Sequence, residues 1–161
     1  EVVARLAPRQ IVVLGDAFHD RHAGERLPRE AVAAIGALAT GRRLVWIAGN
    51  HDPAPPVGLP GERCDSLALA GLTLRHIPQP GAHDEIAGHL HPLARVATRA
   101  GLVRRKCFIS NGQRLILPAF GAFAGGLNVR DPAIAALVPD PMVHVLGERR
   151  AVRIGRDRLM G

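Results

Sequence analysis

Two short apolar runs, Gln10–Leu14 and Leu44–Ala48, constrain this fold more than any other feature of the chain. Each is rich in bulky or β-branched residues and too short for a helix. Each empties into glycine followed by polar side chains, Gly15-Asp16 in the first case and Gly49-Asn50-His51-Asp52 in the second. That is the pattern of a buried strand feeding a loop. Between the runs, Pro28 to Thr40 opens on proline, continues Ala-rich and meets Gly41, which predicts a helix. Strand, helix and strand make a βαβ unit with a right-handed crossover.

Beyond the Pro-rich stretch 53–60 the pattern changes to hairpins. Ser66–Ala70 pairs with Leu72–His76, Asp84–Ala87 is a short strand, and Arg95–Arg99 pairs with Leu102–Ile109 around Ala100-Gly101. Asn111-Gly112, a strong hairpin signal, joins Lys106–Ser110 to Arg114–Leu117. A helix at Pro132–Val138 and strands at Val143–Leu146 and Ala151–Ile154 follow. The simplest arrangement is an α/β domain, two packed sheets flanked by helices. A chain of 161 residues suits one such domain, taken as 1–161. With 47% hydrophobic and 22% charged residues, disorder, collagen and coiled coil are excluded. The longest apolar run falls far short of a bilayer span, so no membrane partner and a cytoplasmic location are expected. Cys64 and Cys107 have neither zinc-type spacing nor a disulfide framework.

Four polar clusters stand where predicted strands end. They are Gly15-Asp16-Ala17-Phe18-His19-Asp20, Gly49-Asn50-His51-Asp52, His76, and Gly88-His89-Leu90-His91-Pro92. Ligands of open α/β sheets gather at such strand ends. Singly, each cluster is an ordinary turn or cap; together, in one order, they offer a carboxylate, an amide oxygen and three imidazoles. That mixed N/O set suits Mn, Fe or Zn, and the absence of thiolates disfavours an iron–sulfur or structural zinc site.

The order GD, GNHD, H, GHLH resembles the calcineurin-like metallophosphoesterase superfamily. GDAFHD, EIAGHLHP, RRKCFI and LPAFGAFAGGLNV narrow the resemblance to its ligase-associated DNA damage response endonucleases, the PdeM subfamily, from about Arg9 to about Ile154. The resemblance implies a four-layer α-β-β-α sandwich and a DNA endonuclease of bacterial repair, with a pathway link to an ATP-dependent DNA ligase and a helicase. It implies two divalent ions, Mn foremost, bridged by Asp16. Asn50, His76 and His89 complete one site, His91 serves the other, and His51 is the catalytic general acid or transition-state donor beside the leaving oxygen. Two such cations clamp a phosphodiester and hold a bridging hydroxide for in-line attack. Most of the superfamily reads GDxxD; here His19 takes the second acidic position and Asp20 follows. His19, Asp20 and Asp52 are therefore expected to support the ligands or the substrate. The superfamily also opens on an Asp-x-His strand that does not precede Asp16 here, and the expectation is that this strand lies before Glu1.

The net charge is +7, from 21 basic and 14 acidic residues, and every basic residue but Lys106 is arginine. Guanidinium groups suit phosphate, and Arg104, Arg105, Lys106 and Arg130 are the candidates for tracking a DNA backbone without reading its sequence. Phe120 and Phe123, flanking Gly121, are expected to pack in the core, with stacking on a base as the alternative. Glu85, Asp65 and the remaining acids read as surface or turn residues, and His22, His83 and His144 as bystanders. Two other functions stay open: a same-fold phosphoesterase for a small or phosphoprotein substrate, and a nucleic-acid-binding module with a decayed site.

Overall fold

The β-branched run near the start of the chain does form a strand, followed by the predicted helix and second strand. The structure, a computed structural model, describes residues 2–20, 22–121 and 124–161. They divide into two units, Glu1–Leu67 and Ala68–Gly161.

In the first unit a short helix, α1 (Val2–Leu6), precedes β1 (Gln10–Val13), α2 (Arg29–Ala39) and β2 (Arg43–Ile47). Pro28 caps α2 with φ of −59°, the value its ring imposes and the helix needs. β1 and β2 pair in parallel, from Gln10 with Arg43 to Val13 with Trp46, so the βαβ unit is present. Leu44, Val45, Trp46 and Ile47 are all buried, as befits a central parallel strand covered on both faces. A strand without an apolar pattern, β3 (Glu62–Cys64), joins β2 in parallel to give the order β1-β2-β3. Its sequence carries no strand signal. Backbone pairing and the Arg43–Glu62 ion pair (Nη2 to Oε2, 2.8 Å) hold it instead.

The second unit is a nine-stranded mixed sheet with one helix. Its elements are β4 (Ser66–Leu69, within which the division of the chain falls), β5 (Leu72–Arg75), β6 (Glu85–Ala87), β7 (Leu93–Thr98), β8 (Gly101–Ser110), β9 (Arg114–Ile116), α3 (Pro132–Leu137), β10 (Met142–Leu146), β11 (Ala151–Ile154) and β12 (Leu159–Met160). The order is β11-β10-β8-β9-β6-β5-β4, with β7 on β8 and β12 on β7. β8 is the pivot: Gly101–Lys106 pairs with β7, while Cys107–Ser110 pairs with β10 and, at its end, with β9. Asn111 turns the chain between β8 and β9, its Oδ1 accepting from the backbone N–H of Gln113 (3.2 Å) and Arg114 (3.0 Å). Asp131 caps α3 by accepting from Ala133 N–H at 2.9 Å, and Ile134 of that helix joins Val96, Cys107, Ile109, Ile116 and Val143 in the core. The α/β class is as predicted, with many strands and few helices. No helix of the described residues is long and apolar enough to cross a membrane.

Candidate metal centre

In the first unit the loops after β1 and β2 are locked together by two carboxylates acting in opposite directions. Asp16 Oδ1 accepts from the backbone N–H groups of His51 (2.9 Å) and Asp52 (3.3 Å). Asp52 Oδ2 in return accepts from Phe18 N–H at 2.7 Å. Asp52 is buried, and burial pushes its carboxyl above the ordinary range; the Phe18 N–H opposes that, and the nearby charge of Asp16 adds to it. Gly49 is required by contact rather than conformation, because a Cβ there would collide with the Asp16 carboxylate and backbone nitrogen. The exposed His19 ring lies over that of His51, centroids 4.0 Å apart, with Nδ1 4.0 Å from Asp16 Oδ2. One ligand atom from each of Asp16, His19 and His51 falls within 4.8 Å of the other two. Asn50 sits exposed in the same loop. Asp20 instead forms an ion pair with Arg26 and accepts from His22 N–H at 2.8 Å.

In the second unit sheet register does the positioning. β5 and β6 are parallel with Arg75 beside Ala87, so the residues just beyond them, His76 and Gly88-His89, emerge side by side. Gly88 N–H donates to the His76 carbonyl at 3.1 Å. The buried His76 turns Nε2 to within 3.3 Å of His89 Nδ1, the rings meeting edge-on. Two nitrogens each about 2.1 Å from a shared ion, at tetrahedral or octahedral angles, stand about 3.0–3.4 Å apart, so the pair fits divalent coordination. His91 follows two residues on. Behind it Gly126 admits no side chain, since a Cβ there would meet the His91 carbonyl.

Backbone strain marks the same residues. Of the eight described non-glycine residues at positive φ, four are Asp16 (48°), His19 (55°), His89 (65°) and His91 (46°). Each such conformation costs about 1–3 kcal/mol and collects at functional loops.

Glu85, expected at the surface, is instead buried at the opening of β6. Arg75 Nε stands 3.1 Å and Arg114 Nε 2.5 Å from its carboxylate, as charge contacts without hydrogen-bond geometry at either Nε. Glu85 Oε1 also accepts from Gln79 N–H at 3.1 Å, and Arg114 donates to the carbonyls of Leu137 (2.7 Å), Ala82 (3.3 Å) and Gln79. The triad ties β5, β6 and β9 together. An acid opening a three-residue strand gives no sign in sequence that it will be enclosed.

Arg104 and Arg105 are exposed on β8. Lys106 is not turned to solvent in the same way: its Nζ donates to the carbonyls of Ala119 (3.0 Å) and Gly121. Arg130 is exposed, with Nη2 on the Arg156 carbonyl at 3.2 Å. The core expectation for Phe120 is overturned, since the side chain is 101% exposed. Phe123 lies outside the described residues.

No protein-family model matches the chain, and no curated protein does. Among solved structures, the crystal structure of Pseudomonas putida nuclease MPE is similar, with a TM-score of 0.70 and 32% sequence identity. The similarity covers 94% of this chain and 76% of that one. Identity at that level over nearly the whole of this sequence reflects common descent, and the chain belongs to the family of the Pseudomonas putida nuclease MPE.

Proposed function

We propose that this protein is a metal-dependent phosphodiesterase that cuts DNA, a calcineurin-like metallophosphoesterase of the ligase-associated PdeM subfamily built as a single α-β-β-α sandwich domain. The likeness to a nuclease over 94% of the chain carries this reading. In it, Asp16, Asn50, His76 and His89 hold one divalent ion, while Asp16 and His91 serve a second. The N/O donor set suits Mn, Fe or Zn, and the subfamily reading puts Mn first. When bound, the two cations supply Lewis-acid charge to the phosphodiester and to the attacking water.

The chain's own groups do the rest. The His76–His89 nitrogen pair at 3.3 Å is preset for a shared ligand, which lowers the reorganisation that binding requires. Asp16 is oriented by the His51 and Asp52 N–H groups. That contact also holds the His51 backbone, while the ring leans on His19. His51 hydrogen-bonds the leaving oxygen and passes it a ring proton as the P–O bond breaks. His19 steadies that ring, and Asp52 braces the loop through Phe18. Arg104, Arg105 and Arg130 supply cationic charge along the strand, and Lys106 acts through the loop that it holds. A place in DNA repair beside an ATP-dependent ligase and a helicase follows from the same reading.

The test is nicking of supercoiled plasmid and cleavage of single-stranded DNA by protein stripped with chelator and reloaded with Mn, alongside Asn50→Ala and His89→Ala. Activity that depends on Mn and falls at least 100-fold in both variants is the expected result, as about 3 kcal/mol of lost transition-state stabilisation gives. Equal activity in the variants overturns the assignment. Hydrolysis of an aryl phosphodiester but not of DNA transfers it to a smaller substrate.

A further inference from the structure

Phenylalanine in a folded domain is normally covered, because burying its ring is worth about 1.5–3 kcal/mol. Phe120 forgoes this entirely at 101% exposure, yet the backbone on both sides of it is held. Lys106 Nζ donates to the carbonyls on either side of it, those of Ala119 and Gly121. The chain's one lysine is thus spent on presenting an aromatic ring to water. The returning limb of the loop is pinned to β7, Leu93 N–H donating to Leu127 and Val129 N–H to Leu93, both at 2.8 Å. That limb passes the His91 carbonyl so closely that only glycine fits at 126. Along the sheet face that carries Lys106 lies Arg104, and the cross-strand partner of Arg104 is Arg95. Both arginines are exposed, and Arg95 also reaches the Gly161 carbonyl. The second unit therefore carries, on backbone joined through Lys106 and β7–β8, a proposed metal ligand, an exposed aromatic ring and a pair of guanidinium groups.

A polynucleotide with unpaired bases matches that set of groups: phosphate at the ion, a π face for the ring, and further phosphates for the arginines. We propose that Phe120 is a substrate-positioning residue that stacks on an unpaired base beside the scissile phosphate, with Arg95 and Arg104 holding the backbone beyond it. The inference rests on the nucleic-acid reading above and adds to it the residue that grips the base.

The experiment uses full-length protein in chelator, so that binding is read without turnover, and a single-stranded oligodeoxynucleotide carrying 2-aminopurine at successive positions. Wild type is expected to quench the fluorophore at one position. Phe120→Ala loses that quench and binds about 5- to 150-fold more weakly, the range that alanine substitution at stacking residues gives. Phe120→Trp keeps both properties, and Val57→Ala, at an equally exposed apolar residue (106%), changes neither. With Mn restored, Phe120→Ala lowers the ratio of DNA to aryl-phosphodiester hydrolysis. Phe120→Ala binding within twofold of wild type overturns the proposal, as does wild type that binds no oligonucleotide. So does a Phe120→Ala effect confined to sedimentation, which assigns the ring to a copy–copy contact. If the quench and its loss are seen while no phosphodiester is hydrolysed, the base-stacking role stands and the enzymatic reading fails.

Discussion

Glu85→Gln isolates the charge that pins the histidine-bearing strands. The carboxylate side chain is 0% exposed, Arg114 3% and Arg75 20%. Glutamine keeps the shape but leaves two guanidinium groups facing a neutral amide. Breaking a buried pair from one side costs about 3–5 kcal/mol, mostly the uncompensated charge that remains. Arg75 is partly wet and adds little. Arg114 keeps its three carbonyl acceptors, which offset some of the loss without neutralising it, so the expectation lies at the lower end, about 3 kcal/mol. For a chain of this length that lowers Tm by about 6–12 °C. Urea and thermal unfolding followed by circular dichroism measure it, and the double variant Glu85→Gln/Arg114→Met recovers at least half, since removing both charges removes the imbalance. Because β5 and β6 deliver His76 and His89, Glu85→Gln also weakens divalent binding by about 10-fold or more. A loss below 1 kcal/mol with no coupling to Arg114 refutes the reasoning, leaving strand register to the backbone alone.

The turn between β4 and β5 has both Ala70 (51°) and Gly71 (82°) at positive φ, so Ala70→Asn is expected to stabilise by about 1 kcal/mol, read as a higher urea midpoint at unchanged slope. Gly49→Ala drives a methyl into Asp16 and is expected to cost about 1–3 kcal/mol in urea unfolding and to abolish phosphodiester turnover; retained turnover would remove Asp16 from the site. Burial pushes the Cys107 thiol up to about 12, so the folded state holds that proton more tightly than the unfolded chain. Its contribution is intact below the unfolded pKa and is lost as pH rises through it, by about 2 kcal/mol between pH 8 and 10 relative to Cys107→Ala in parallel urea titrations.

Where local chemistry and tertiary structure agree, the sequence was sufficient. The runs ending at Gly15 and Gly49, the proline-led helix and the Asn111-Gly112 turn each specify their own conformation, and each formed within a residue or two of its expected bounds. β3 escaped because Glu-Arg-Cys pairs only through its backbone, and β12 because two residues carry no period. In the candidate site, residue types and order were legible because donor chemistry is a property of side chains. The support was not. Glu85 is enclosed by residues 10 before and 29 after it, and the backbone beside the exposed Phe120 is held by Lys106 from β8, so neither environment is written near either residue.

Each half of the proposed site is held by bonds that involve no ion, and this has a measurable consequence. Asp16 and Asp52 cross-brace the first-unit loops through three N–H donors. β5–β6 register sets His76 against His89, and Glu85 with its arginines ties those strands to β9. A structural zinc module lacks such supports and unfolds when its metal is removed. Here chelation should act by mass action alone. With free Mn at 100-fold its dissociation constant, bound ion adds about 2.7 kcal/mol, and removing it lowers Tm accordingly while the far-ultraviolet spectrum at 25 °C stays the same. Histidine resonances should move, and amide protection in β5 and β6 should persist. Loss of that protection on chelation would mean that the ion, and not the buried carboxylate and the paired strands, keeps the histidines in place.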